Sequence, residues 1–282
     1  MAAQSFDPGY GRDPYRSLVD RFPGEDVYPP ADFRTEWGPI FHRGRLDGSA
    51  RVLVVGQDPA THEAVCRRIL VGEAGQRVQG LLRRLGVTSS YVMVNALLYS
   101  VYGQSGGNQN VSAPAIVAYR HRWCDALADD NDLQVILSLG RLAETAVRTW
   151  RETPAGAACR ALDASVLHPT YPESASASGT TTRARAMAQL CASWNAALEL
   201  VHPVLTPDVP TDLVPFGSTL RPADLASIPD FDLPPGLPAW MRSLDAWAVR
   251  TGADRDAKRA TIRISVPKGA RSWPRSPRPE VP

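Results

Sequence analysis

Lysine is nearly missing from this chain: only Lys258 and Lys268 occur, so 29 of the 31 basic residues are arginine. The formal net charge is only +2, which excludes a protein that gathers polyanions through sheer charge excess and leaves local basic surfaces to be sought. Cysteine is scarce as well. Cys66, Cys124, Cys159 and Cys191 stand far apart with no C-x-x-C pair, so no spacing-coded metal or cluster site is visible and free thiols are expected. No apolar run approaches the roughly 20 residues of a membrane-spanning helix, and no membrane partner is expected. The opening residues, MAAQSFDPGYGRDPYRS, lack a cationic stretch followed by an apolar segment. A cytoplasmic location is therefore expected. A phosphate-cradling GxxxxGK[ST] loop is absent too, which counts against a nucleotide-processing α/β enzyme.

The chain does contain enough apolar residues for an ordinary core: 282 residues, 44% of them hydrophobic and 21% charged. RVLVVG (51–56), YVMVNAL (91–97), QVILSLG (134–140) and ASVLH (164–168) are short apolar runs of the kind that parallel strands, buried on both faces, require. Between them lie helical periodicities. Val78, Leu81, Leu82 and Leu85 recur at one face, and Val117, Trp123 and Leu127 mark a second helix with Ser112 as its cap and Pro114 in its first turn. A third helix is predicted from Arg141 to Trp150, and Met187, Leu190, Trp194, Leu198 and Val201 form the longest stripe. The alternation predicts a three-layer α/β/α domain with a central four-stranded parallel sheet. Its expected limits are residues 49–202, preceded by an N-terminal extension, 1–48.

Fourteen of the 25 prolines fall in 203–282, where apolar periodicity fades. This segment is expected to be a proline-rich, partly disordered extension and the natural place for protein partners. Within it, Trp240, Leu244 and Trp247 are spaced as one helical face, and the basic end RSWPRSPRPEVP has charge suited to DNA phosphates or simply to solvent.

In open α/β sheets ligands bind beyond the carboxyl ends of the strands. There the sequence offers GQDPATHE after the first strand, with Asp58 and His62; Asn95 in the second; Gly140 after the third; and His168 in HPTYP after the fourth. Taken singly, an Asp before Pro is usually a turn former, a strand Asn a satisfied amide and a lone His structural. An acid, an amide and an imidazole on one rim form a candidate site.

VLVVGQDP, VGEAGQRVQGLLRRLG, MVNALLYS, ILSLGRLAETAV and LHPTYP occur in the order and spacing of the uracil-DNA glycosylase superfamily, which the chain resembles over roughly residues 50–201. GQDP is similar to the loop of the best-known uracil-DNA glycosylases, whereas VGEAG resembles the bacterial families related to the iron–sulfur enzymes. The resemblance implies a monofunctional, monomeric DNA glycosylase of base excision repair. Asp58 and His168 are its implied catalytic residues, Gln57 and Asn95 contact the base, and Pro169, Thr170, Tyr171 and Arg183 contact DNA. Two positions depart from the pattern. Ala60 stands where an aromatic crowds the 5-position of the base, and Leu70 where a ring, usually Phe, stacks on uracil. No cofactor is implied, because the four cysteines do not reproduce the cluster pattern. The loop YGQSGGNQNVS (102–112) contains no His, so nothing points to the covalent DNA-trapping variant. Arg67, Arg68, Arg83 and Arg84 offer a basic face, or an ordinary solvated one.

Overall fold

The computed structural model describes residues 10–102, 109–243 and 247–270. A short helix, α1 (Tyr15–Asp20), precedes a three-residue strand, β1 (His42–Gly44). The four apolar runs form β2 (Val52–Gly56), β3 (Tyr91–Asn95), β4 (Val135–Leu139) and β5 (Leu162–Val166). These four are mutually parallel, and the sheet order is β1-β3-β2-β4-β5. The expected sheet of four strands thus has a fifth, β1, added antiparallel to the edge of β3 with His42 opposite Val94. Its polar residues hide it: His42, Arg43 and Gly44 carry no apolar or β-branched pattern. Arg43 is nonetheless fully buried, donating to Ile69 O at 3.0 Å and Gln79 Oε1 at 3.1 Å and pairing with Asp232 at 2.6 Å.

Helices α2 (Thr61–Cys66) and α3 (Glu73–Arg84) follow β2. Next come α4 (Pro114–Asp130) after β3, and α5 (Arg141–Arg151) and α6 (Pro154–Ala158) after β4. After β5 stand α7 (Tyr171–Ala177) and α8 (Arg183–Val201). Ala113, not Ser112, is the residue preceding the first turn of α4, whose start is set by Pro114. Alternating side chains of β2 divide between two cores. Leu53 and Val55 pack with Trp123, Leu127 and Trp150 of α4 and α5, while Val52 and Val54 pack with Leu81 and Leu82 of α3 and Trp194 of α8. Each such large apolar side chain contributes about 1.5–3 kcal/mol by leaving water. Burial on both faces explains why β2 is apolar throughout and β4 interrupted only by Ser138; β5, expected to be buried likewise, is an edge strand with Asp163 and Ser165 exposed.

Beyond α8, residues 203–243 lie along the body with little regular structure. Prolines remove ladder donors, so side chains anchor the segment instead. Asp208 accepts the backbone N–H groups of Thr88, Ser89 and Ser90 at 2.7, 2.8 and 3.0 Å. Asp224 pairs with Arg84, and Asp232 takes both Arg43 and the Tyr91 hydroxyl. The single helical face expected around 238–249 does not form. The chain makes one 3₁₀ turn, Ala239–Arg242, closed by Trp247 Nε1 donating to Met241 O at 3.0 Å, and Leu244 lies outside the described residues. A strand, β6 (Ala248–Arg250), then pairs antiparallel with β7 (Ile262–Ile264) across helix α9 (Arg255–Ala260). No helix among the described residues is long and apolar enough to cross a membrane.

Candidate active site

Parallel strands deliver their following loops to one edge, and there a cleft of about 480 Å³ opens. The loop after β2 supplies Gln57, Asp58, Pro59 and Ala60; β3 supplies Asn95; the turn after β4 supplies Gly140; and the loop after β5 supplies His168, Thr170 and Tyr171. Asp58, Asn95 and His168, separated by up to 110 residues, line this one cleft. Leu70 lines it as well.

Each group is held in a defined state. Asp58 Oδ2 accepts the Val101 backbone N–H at 3.1 Å. Burial pushes its carboxyl up to about 7, with the negative charge of Glu63 adding to the effect and the Val101 bond opposing it. His168 is driven the other way, down to about 4, by burial and then by the Arg77 guanidinium, against the pull of Glu173. It is neutral at pH 7. The Thr170 backbone N–H donates to His168 Nδ1 at 3.2 Å, and since an amide N–H can only donate, the ring proton of the neutral form sits on Nε2. Asn95 owes its place to Gly56 alongside it: a Cβ at residue 56 would stand 2.3 Å from Asn95 Oδ1. Gly140, at φ +84°, lies where a Cβ would press on His168 Cβ at 3.0 Å.

Several contributors carried no sequence signal. Glu63 lines the cleft while 5% exposed, and its Oε2 accepts the Ala60 N–H at 2.9 Å. Burial raises its carboxyl, and bonds from the backbone of Ala60, Val71 and Leu70 oppose that rise. One carboxylate therefore ties both departing positions, Ala60 and Leu70, to α2; Leu70 itself adopts φ +52°. Arg77 reaches from α3 to the Pro169 carbonyl and to both oxygens of Glu173, pinning the loop that bears His168.

The match of one family model, the uracil DNA glycosylase superfamily, covers residues 43–203, more than half of the chain. The chain belongs to that superfamily. No curated protein matches it. The family span begins within β1 and ends just past α8, so it holds the four parallel strands and all of β1 but His42. An iron–sulfur cluster of the kind the resemblance brings to mind needs converging thiols, and the four cysteines do not fit one: Cys124 of α4 lies in one core with Cys159 partly buried against it, Cys191 of α8 lies in the second, and Cys66 of α2 lies in a third cluster with Met241 and Trp247.

Other expected residues are placed differently. His62 is not part of the cleft lining; it packs against Gly72 and, edge-on at 4.7 Å, against Trp247. Pro169 is buried, and so is Pro172, whereas Tyr171 lines the cleft with its hydroxyl donating to Gln189 at 3.1 Å. Arg183 pairs with Glu173 at 2.9 Å in a separate groove and keeps a side chain 64% exposed. The expected basic face is not a free surface. Arg67 donates to the carbonyls of Trp37 and Pro39, Arg68 is buried, and Arg83 and Arg84 hold the segment after α8 through Ala223 O and Asp224. Residues 103–108 of the His-free loop and the basic end 271–282 lie outside the described residues.

Proposed function

We propose that the chain is a monofunctional DNA glycosylase that hydrolyses the N-glycosidic bond of uracil, or of a related deaminated base, in DNA. The reading is carried by the lining of a single pyrimidine-sized cleft by Asp58, Asn95 and His168. A stacked base cannot be attacked, so the nucleotide is extruded into the cleft and read on its Watson–Crick edge. The Asn95 amide N–H donates to uracil O4 and its Oδ1 accepts N3–H; cytosine presents the opposite pattern. The Gln57 backbone adds a contact to the base.

As the C1′–N1 bond breaks, its electron pair leaves with the base and positive charge grows on the sugar. Asp58, as the carboxylate, stabilises that charge and orients or deprotonates the water that adds to C1′. His168, neutral with its proton on Nε2, donates a hydrogen bond to the negative O2 of the departing uracil. The products are a free base and an abasic site.

A second reading, a base- or DNA-binding protein with weakened catalysis, draws on Ala60 and Leu70, since apolar contact replaces ring stacking there. Incubation of the purified protein with uracil-containing oligonucleotides, single-stranded and as U·G and U·A pairs, tests both. Abasic product is expected; its absence on every substrate refutes the glycosylase, and tight salt-sensitive binding without turnover establishes the alternative.

A further inference from the structure

The family match stops at residue 203, yet the cleft does not. Arg250, the last residue of β6, lines it together with Asp58 and His168. The strand that carries it is docked rather than loose. Trp247, 2% exposed, packs edge-on against His62 at 4.7 Å and against Trp240 at 5.5 Å, and the Ala248 N–H donates to His62 Nε2 at 3.3 Å. His62 belongs to α2, the helix that opens directly after the Asp58 loop. The proline-rich extension is thus keyed onto the catalytic loop's own helix.

At the end of β6 Arg250 reaches the cleft, while Trp247 and Ala248, each 2% exposed, are buried against the protein. The Arg250 guanidinium stands 6.0 Å from the Trp37 ring, its side chain is exposed, and among the described residues it makes no ion pair. Its position at the mouth is otherwise unfavourable for an anion, because Asp58 and Glu63 lie within. A cation at the mouth of an acidic cleft offsets repulsion of a polyanion entering it.

We infer that Arg250 is a substrate-binding residue contributed by the C-terminal hairpin, contacting a DNA phosphate beside the extruded nucleotide. This rests on the glycosylase reading for the identity of the polymer, not for the chemistry. The hairpin thereby belongs to the substrate site, and the family span alone would engage DNA incompletely.

The test uses the full chain and a single-stranded oligonucleotide bearing a tetrahydrofuran abasic analogue, with binding followed by fluorescence anisotropy from 25 to 200 mM NaCl. Arg250→Gln should weaken binding about fivefold to tenfold at low salt and reduce the slope of log K against log [salt] by about one. Arg250→Lys keeps the charge and should keep the slope. Equal affinity and slope for wild type and Arg250→Gln overturn the inference, as does a Lys variant as weak as the Gln variant or a wild type that binds no DNA. If the wild type binds with an Arg250-dependent slope but excises nothing, the glycosylase reading falls and this one stands.

Discussion

Replacing Asp58 by Asn should make the protein more stable at alkaline pH while disabling it. The isosteric amide keeps an oxygen to accept the Val101 N–H, so the loop has no reason to move. What changes is the cost of charge. Asp58 has its carboxyl raised from 3.8 to about 7, so between those values the native state binds more protons than the unfolded chain, and stability falls as pH rises. At about 1.36 kcal/mol per pH unit the penalty above pH 7 has a ceiling of about 4 kcal/mol, halved to about 2 kcal/mol because solvent reaches the cleft. Urea denaturation of both proteins at pH 5 and pH 8.5 isolates it: the advantage of the Asn variant should grow by about 1–3 kcal/mol between the two, with unchanged m-values. Single-turnover excision by the variant should fall by a factor of about 10² to 10⁴. In the wild type, kcat/KM should decline as pH drops below about 7, where Asp58 takes up a proton. A stability difference that is flat with pH, or an acid limb near 4, would refute the assignment of a raised, chemically active carboxyl.

His168→Gln keeps a donor but loses its fixed direction, and excision should slow by a factor of about 10² to 10³ with little change in urea midpoint. Because His168 is neutral above about 4, the wild-type profile should show no limb from it between pH 5 and 9, which a kcat/KM titration checks. Asp232→Ala strands the buried Arg43 charge and should cost about 3–5 kcal/mol in urea denaturation, whereas Arg43→Met combined with Asp232→Leu should recover most of that loss. Leu70→Phe restores a ring without altering a backbone already at φ +52°, and should tighten binding of uracil-containing DNA about fivefold, measured by competition.

Most of the strands and the three candidate rim residues were legible because their signals are local. A strand buried on both faces is apolar along its length, as β2 is and β4 is apart from Ser138, and a ligand rim follows such strands, so Asp58, Asn95 and His168 could be grouped by position and their roles taken from the family resemblance. Helix α5 was legible for the same reason, ending one residue past the expected Trp150, and α8 showed as the stripe Met187 to Val201, although its start at Arg183 did not. β1 was not, since a buried arginine in a three-residue strand is intelligible only once Asp232, 189 residues away, is beside it. The anchors of the proline-rich segment were hidden in the same way, because they are single carboxylates meeting distant amides, guanidinium groups and a hydroxyl.

Apolar periodicity and strand-end chemistry, both properties of neighbouring residues, therefore determined the four parallel strands, the helices between them and the family-like rim. Tertiary structure alone decided that Glu63 holds Ala60 and Leu70, that the paired arginines serve as internal ties, and that Arg250 stands in the cleft. The physical reason is that a charge has no intrinsic partner in sequence. Burial and distance, which set its ionisation and its use, exist only after the chain has folded.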